Sequence, residues 1–543
     1  MMRQMMSRSD KNKVDAAHDD LKLTLSRREL RAMNRQAAKE QRNADKTAGP
    51  IQQWLNNVRD ARSTTRERPG PRGWNTAGGG HVNYIEAPVE YQGTSVQVCG
   101  LWPFIAGSSN PVVGAPLGYH LERQTIVCAD PIFWFLANLI LNPSGFVLGR
   151  PGLGKSSLMR RMVTILAAWG VIPMVLSDTK PDYAELIEAM DGQVIKMARG
   201  RGHRNPLDLG PVITRLRGIE DPDRRRQALE EMRGRRLTTI SGLLELVLDR
   251  KLKAHESTIL SETLRQLDPD FTTTRRVDEL RDYIASRPAA LRSIALATDS
   301  DEKYDERVGG LLDGLIALSA NGQFGDLFSE HTDEHIETGR PMCFDISGID
   351  DADAKLGAAV QSVCWAHGSA VVSAEKHLAD AEGREQTHYL LIMDELWRML
   401  KAAEVMVHFL DSLTRLNRQR GLAQMMCTHT MSDLKLSSPH LTEIAWGFVE
   451  RSAQVFLGGL AEREMGNLEE VFAMTAKEKS MITDWSAEAM INPDTGTAAE
   501  PPGLGKFLLK IGKKPGVPFR TVMTSVEMDS GVGDTNKAWR KAA

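Results

Sequence analysis

The segment Gly149-Arg150-Pro151-Gly152-Leu153-Gly154-Lys155-Ser156 fits the pattern G-x-x-x-x-G-K-[ST] in full. It constrains the fold more than any other part of the chain, because such a loop works only between a strand and a helix. Both neighbours are present: the apolar run Phe146–Leu148 precedes it, and a helix-like run, Ser157–Trp169, follows. The glycines let the backbone curl so that its N–H groups point at phosphate oxygens, and the helix N-terminus favours the same negative charge. The expected cofactor-binding residues are therefore Gly149, Arg150, Pro151, Gly152, Leu153, Gly154, Lys155, Ser156 and Ser157. Lys155 is expected to neutralise the β- and γ-phosphates, and Ser156 to ligate Mg²⁺.

A second motif narrows the chemistry. Tyr389-Leu390-Leu391-Ile392-Met393 is an apolar strand that ends in Asp394-Glu395. In a parallel sheet, the C-terminal ends of the strands face the ligand. Two carboxylates at a buried strand end are costly unless a cation uses them. Asp394 is the expected Mg²⁺ residue, and Glu395 is expected to orient and polarise the attacking water. Further buried-strand candidates are Ile172–Leu176, Met342–Ile346, Ala423–Cys427 and Gln454–Leu457. Helix-length segments separate most of them, which predicts an α/β core with a mainly parallel sheet.

The remaining chain divides around that core. Residues 1–75 carry 17 Lys+Arg against 9 Asp+Glu, although the whole chain has a formal net charge of −3. This basic segment reads as a tail, partly helical around 20–45. It is either an arm for nucleic acid or anionic lipid, or a solvated solubilising tail. Residues 76–130, with runs Ser95–Cys99 and Thr125–Cys128, read as a small β-rich region. The core is expected over 131–210 and 300–500, beginning with a helix-like run Phe133–Leu141. Residues 211–299 have helical spacing and read as an inserted helical subdomain. Its arginines (Arg224, Arg225, Arg226, Arg233, Arg235, Arg236) either touch a partner or lie on a solvated helix face. Residues 501–543 are expected to hold a C-terminal hairpin, Lys506–Ile511 with Arg520–Thr524, and a tail. The five cysteines are scattered without a CxxC pair, so neither a disulfide framework nor a metal cluster is expected. The longest apolar run, Ile132–Leu141, is about half a membrane span. No apolar h-region follows the N-terminal charges, so a cytoplasmic location is expected.

Weaker elements lie between the motifs. The acids of Ser177-Asp178-Thr179-Lys180-Pro181-Asp182-Tyr183 either shape the nucleotide edge or meet a neighbouring subunit. Asn205-Pro206-Leu207-Asp208 reads as a loop and helix cap. Thr428-His429 ends the strand Ala423–Cys427, where a polar side chain can sense the γ-phosphate, and His429 is the candidate. Arg418, Arg420, Arg451 and Arg463 are candidates for an arginine donated to a neighbouring subunit's nucleotide, where negative charge builds up.

In this order, the motifs resemble those of the conjugative type IV secretion ATPases (the TraC-like family), within the HerA/FtsK group of P-loop motors. The resemblance spans roughly 96–530. It includes the P-loop, the Ser177–Tyr183 segment and Asn205-Pro206-Leu207-Asp208. It continues through the helical insert, Gly325-Asp326-Leu327-Phe328, Cys343-Phe344-Asp345-Ile346 and Asp394-Glu395-Leu396-Trp397. Two departures stand out. Thr428-His429 occupies the place where the family usually carries Thr-Gln, and the N-terminal region is short. The resemblance implies a RecA-like core and Mg²⁺-dependent hydrolysis of ATP. It also implies a homo-oligomer, hexameric in the family pattern, docked on inner-membrane components of a conjugation channel at the cytoplasmic face. Such a motor would energise channel assembly or substrate transfer. The rival readings are a coupling-protein-like pump that grips DNA directly, and a weakly hydrolysing nucleotide-binding piece of the channel.

Overall fold

The computed structural model describes residues 111–350, 352–402, 407–408, 410–411, 421–489 and 500–529. The basic N-terminal segment, the run Ser95–Cys99, Arg415, Arg418 and Arg420 lie outside them. Among the described residues one mixed sheet has eleven strands. These are β1 (Pro116–His120), β2 (Ile126–Cys128), β3 (Ser144–Leu148), β4 (Ile172–Asp178), β5 (Gln193–Ala198) and β6 (Met342–Gly348), then β7 (Tyr389–Met393), β8 (Leu422–Thr428), β9 (Gln454–Leu457), β10 (Lys506–Lys510) and β11 (Val517–Thr521). Their order is β2-β1-β11-β10-β9-β3-β8-β7-β4-β6-β5. From β9 to β5 every pairing is parallel. The β2-β1-β11-β10 end is antiparallel and joins β9 through β10.

All six apolar runs expected as core strands are strands. Two more, β5 and β1, escaped the sequence reading. β5 is an edge strand with an irregular burial pattern, and β1 is a short Pro-Gly-containing run. The second strand of the C-terminal hairpin is Val517–Thr521 rather than Arg520–Thr524. Val517 and Phe519 are buried there, so the core selects the earlier register. The helix expected over Phe133–Leu141 covers only Pro131–Leu136. Asp130 caps it by accepting from the N–H groups of Ile132 and Phe133, and it ends at Ala137.

The sheet's pleat sorts the side chains into two cores. Phe146, Leu148, Met174, Leu176, Leu391 and Met393 face one way, toward the long helix Ala354–Glu382 and the helical insert. Val147, Val175, Leu390, Ile392, Met425 and Cys427 face the other way. There they meet Leu158, Met162, Val163 and Leu166 of the P-loop helix, α1 (Lys155–Ala168). Being buried on both faces explains why these strands read as continuous apolar runs.

The helical insert begins with Val212–Arg217 and the helix Pro222–Leu248. Ala254–Leu267, Val277–Ala285 and Ala289–Ile294 follow, and Asp301–Leu318 packs with them. Its arginines are mostly occupied. Arg226 pairs with Asp223 at 2.6 Å, Arg233 with Glu230 at 2.9 Å and Arg235 with Glu231 at 3.0 Å. Arg235 also donates to Ser369 at 2.8 Å. Arg236 and Asp268 form a buried pair at 2.8 Å, with side chains only 6% and 1% exposed. Neither sequence expectation covers Arg236, which is a structural bolt inside the insert. Asp268→Ala leaves that guanidinium buried and uncompensated. It should cost about 3–5 kcal/mol in urea unfolding, whereas Arg226→Ala, at an exposed pair, should change stability by less than about 1 kcal/mol.

Candidate functional site

Four neighbouring parallel strands, β3, β8, β7 and β4, end on the same edge of the sheet. Each delivers a piece of one site. The P-loop leaves β3, and His429 follows β8. Asp394 and Glu395 follow β7, and the segment ending in Tyr183 follows β4.

The P-loop has the backbone that its glycines predict. Gly152 and Gly154 take φ of 79° and 94°, a region where side-chain-bearing residues are strained. Gly154 is the N-cap of α1. Neighbouring strands hold the loop in place. Gly149 N–H donates to the His429 carbonyl at 3.1 Å, and Arg150 N–H to the Gly459 carbonyl at 2.9 Å. The Arg150 guanidinium donates to the Ser486 carbonyl at 2.6 Å. Gly505 N–H donates to the Leu153 carbonyl at 3.0 Å, so the C-terminal hairpin also braces the loop. Pro151 and Gly152 are exposed, and Leu153 is buried. Ser157 stands half-buried in the first turn of α1.

Lys155 is 7% exposed. Its Nζ donates to the Arg150 carbonyl at 3.3 Å and meets His429 Nδ1 at 3.0 Å. An ammonium has only donors, so Nδ1 must accept and Nε2 must carry the ring proton. Nε2 lies 3.1 Å from Glu395 Oε2. The same carboxylate oxygen accepts from Trp397 Nε1 at 2.6 Å, and Oε1 pairs with Lys180 at 3.2 Å. Burial pushes the Glu395 carboxyl up. The hydrogen bond from His429, that from Trp397 and the charge of Lys180 outweigh it, and hold the group well below the usual carboxylate range. Glu395 has φ of 51°, a left-handed backbone that is uncommon without glycine and recurs at functional sites.

Ser156 Oγ lies 3.5 Å from Asp394 Oδ2, which also accepts from Tyr183 OH at 3.1 Å. Asp394 Oδ1 accepts the Glu395 N–H at 2.9 Å. A hydroxyl and a carboxylate converging in this way form an all-oxygen donor set of the kind that hard Mg²⁺ prefers. The residues present therefore fit the ion.

The other candidates fall elsewhere. Arg451 is the C-cap of the helix Pro439–Glu450, ahead of β9, and its carbonyl meets Ser144 at the opposite sheet edge from the P-loop. It pairs with Asp411 at 2.7 Å. Arg463 is exposed in the short turn Glu462–Glu464 beyond the C-terminal end of β9, on the P-loop side. The two acids of the Ser177–Tyr183 segment are engaged by neighbours outside the site, although Asp182 feels the charges of Asp394 and Glu395. Asp178 caps the helix Ala184–Ala189, accepting from Tyr183 N–H at 2.8 Å and Ala184 N–H at 3.2 Å. Asp182 pairs with Arg160 at 3.2 Å. Lys180 and Tyr183 of the same segment are the residues that reach Glu395 and Asp394, and sequence reasoning passed over both. In the Asn205–Asp208 turn, Asn205 accepts from Leu207 N–H at 3.0 Å, and Asp208 pairs with His335 at 2.8 Å.

No family model matches the sequence, and no curated protein matches it. Solved structures do. VirB4 of Thermoanaerobacter pseudethanolicus is 17% identical with a TM-score of 0.55, covering 78% of this chain and 100% of its own. The plasmid coupling protein TrwB with a non-hydrolysable ATP analogue is 12% identical, covering 77% of this chain and 96% of its own at a TM-score of 0.44. Unbound TrwBdeltaN70, a bacterial conjugative coupling protein, is 12% identical, covering 70% and 85% at 0.41. The first of these matches establishes that this chain shares the RecA-like α/β fold of VirB4.

One consequence concerns pH. Burial pushes the Asp178 carboxyl up to about 7, against the pull of its backbone donors. The folded state then holds a proton that the unfolded chain releases near pH 4. Stability from this group is present below about pH 4 and is lost as the pH rises toward 7. Urea unfolding from pH 4.5 to 7.5 should show that loss, roughly a few kcal/mol at most. Asp178→Asn, which keeps an acceptor, should flatten it.

Proposed function

We propose that the chain is an Mg²⁺-dependent ATPase that powers conjugative DNA transfer or the assembly of its channel. The observation that carries the ATPase reading is the convergence of Lys155, Ser156, Asp394 and Glu395 at the ends of β3 and β7, which flank β8. Lys155 moves from His429 to the β- and γ-phosphates of bound ATP. Ser156 and Asp394 would hold Mg²⁺, which neutralises charge on the phosphate oxygens. Glu395 orients a water against the γ-phosphorus and accepts its proton as the bond to the ADP oxygen breaks. His429 senses the γ-phosphate from the end of β8.

The conjugative role rests on the order of motifs from the P-loop to Asp394-Glu395-Leu396-Trp397, and the shared fold supports it. A homo-oligomer, hexameric as in ring motors, follows from the same resemblance. Of the arginine candidates in view, Arg463 is exposed on the nucleotide side, while Arg451 is tied to Asp411. Arg418 and Arg420 keep their place as candidates on sequence grounds. No helix among the described residues is long and apolar enough to cross a membrane. Docking at the inner face of the cell membrane would then run through partners. Residues 211–299 would serve as the inserted helical subdomain, and residues 1–75 as a docking arm.

Mg²⁺-dependent ATP turnover tests the reading, measured with and without duplex DNA at low salt, where phosphate contacts are strongest. Glu395→Gln should lower kcat by about 10²–10⁴-fold while ATP still binds, and Lys155→Ala should abolish ATP binding. Strong DNA stimulation would favour a direct DNA pump. ATP binding with no turnover in the wild type would favour a structural channel component.

A further inference from the structure

We propose that Trp397 is a positioning residue for Glu395, fixing the plane of its carboxylate so that one acceptor site remains for water. The inference rests on the reading of Glu395 given above. An ionised carboxylate offers about four acceptor sites. Three are taken here, by Trp397 Nε1 at 2.6 Å, His429 Nε2 at 3.1 Å and Lys180 Nζ at 3.2 Å. The three donors are not equivalent. The Lys180 side chain is 57% exposed and stands on a loop, so its hold is loose. His429 also carries Lys155 on its other nitrogen, so its hold changes when phosphate takes the lysine. Trp397 is the shortest contact and depends on neither lysine. It stands in the first turn of the helix Leu396–Ala402, two residues beyond Glu395. The left-handed backbone at Glu395 accompanies this local arrangement, in which the indole N–H reaches the preceding carboxylate.

The indole has no evident duty in the core. It is half-buried and lines a cavity of about 330 Å³ together with Ile346, Gln361 and Lys401. Lys401 lies 5.3 Å from the ring centroid. Trp397→Phe therefore removes the N–H donor without opening a packed interior. Trp397→His keeps a ring N–H.

Two measurements on the full chain test the proposal. In steady-state turnover, Trp397→Phe should lower kcat by between about ten- and a hundredfold, with KM for ATP unchanged. Trp397→His should recover part of that loss. In a sample labelled with ¹⁵N-tryptophan, the indole resonance that disappears in Trp397→Phe should shift when Glu395 is replaced by Ala. A wild-type kcat in Trp397→Phe overturns the proposal, as does a kcat loss matched by an equal loss of ATP affinity. An indole resonance indifferent to Glu395→Ala overturns it by removing the contact, whether or not ATP is hydrolysed. If the resonance shifts but the wild type has no turnover, the ATPase reading fails and a positioning role fails with it.

Discussion

The hydrogen-bonded chain from Lys155 through His429 to Glu395 is the contact on which the site depends. It joins three strand ends that are adjacent in space and far apart in sequence. It exists only because β3, β8 and β7 run parallel and in register, with Leu148 beside Thr428 and Met393 beside Met426. A slip of one residue in β8 would turn His429 to the other face of the sheet. The apolar side chains that set the register, alternating between two cores, therefore also set the geometry of the site. The arrangement also makes Lys155 and Glu395 partners of one imidazole. Whatever draws Lys155 away changes the hydrogen bonding felt by Glu395.

Much of this was legible in the sequence. The P-loop and the acidic strand end announce themselves, because their chemistry needs particular residue types at fixed spacing. The six central strands were readable because burial on both faces makes them continuous apolar runs. The edges were harder. Among the described residues β5 is paired on one side only, and its side chains meet mixed surroundings. The last hairpin strand slid by three residues because Arg520 and Thr524 looked as strand-like as Val517 and Phe519 until burial chose between them.

Within the site, the acids of the Ser177–Tyr183 segment drew attention away from Lys180 and Tyr183. Charge attracts notice in a sequence, but the cap geometry of Asp178 and the Arg160 partner of Asp182 are tertiary facts. Trp397 was visible as a marker in the sequence. Its hydrogen bond to Glu395 was not, because it depends on a left-handed backbone at a glutamate. The buried pair of Arg236 and Asp268 is similar: the sequence shows an arginine cluster, and only packing separates solvated Arg226 from Arg235, tied to Ser369, and Arg236, sealed inside.

In the proposed cycle, nucleotide phosphate would displace Lys155 from His429 while Glu395 stays anchored. A structure of the chain with a non-hydrolysable ATP analogue and Mg²⁺ would test that displacement. The expected result is Lys155 Nζ on the β- and γ-phosphates, Ser156 and Asp394 at the ion, and Glu395 still held by Trp397. Phosphates bound away from Gly149–Ser156, or Lys155 still resting on His429 with the analogue in place, would contradict it.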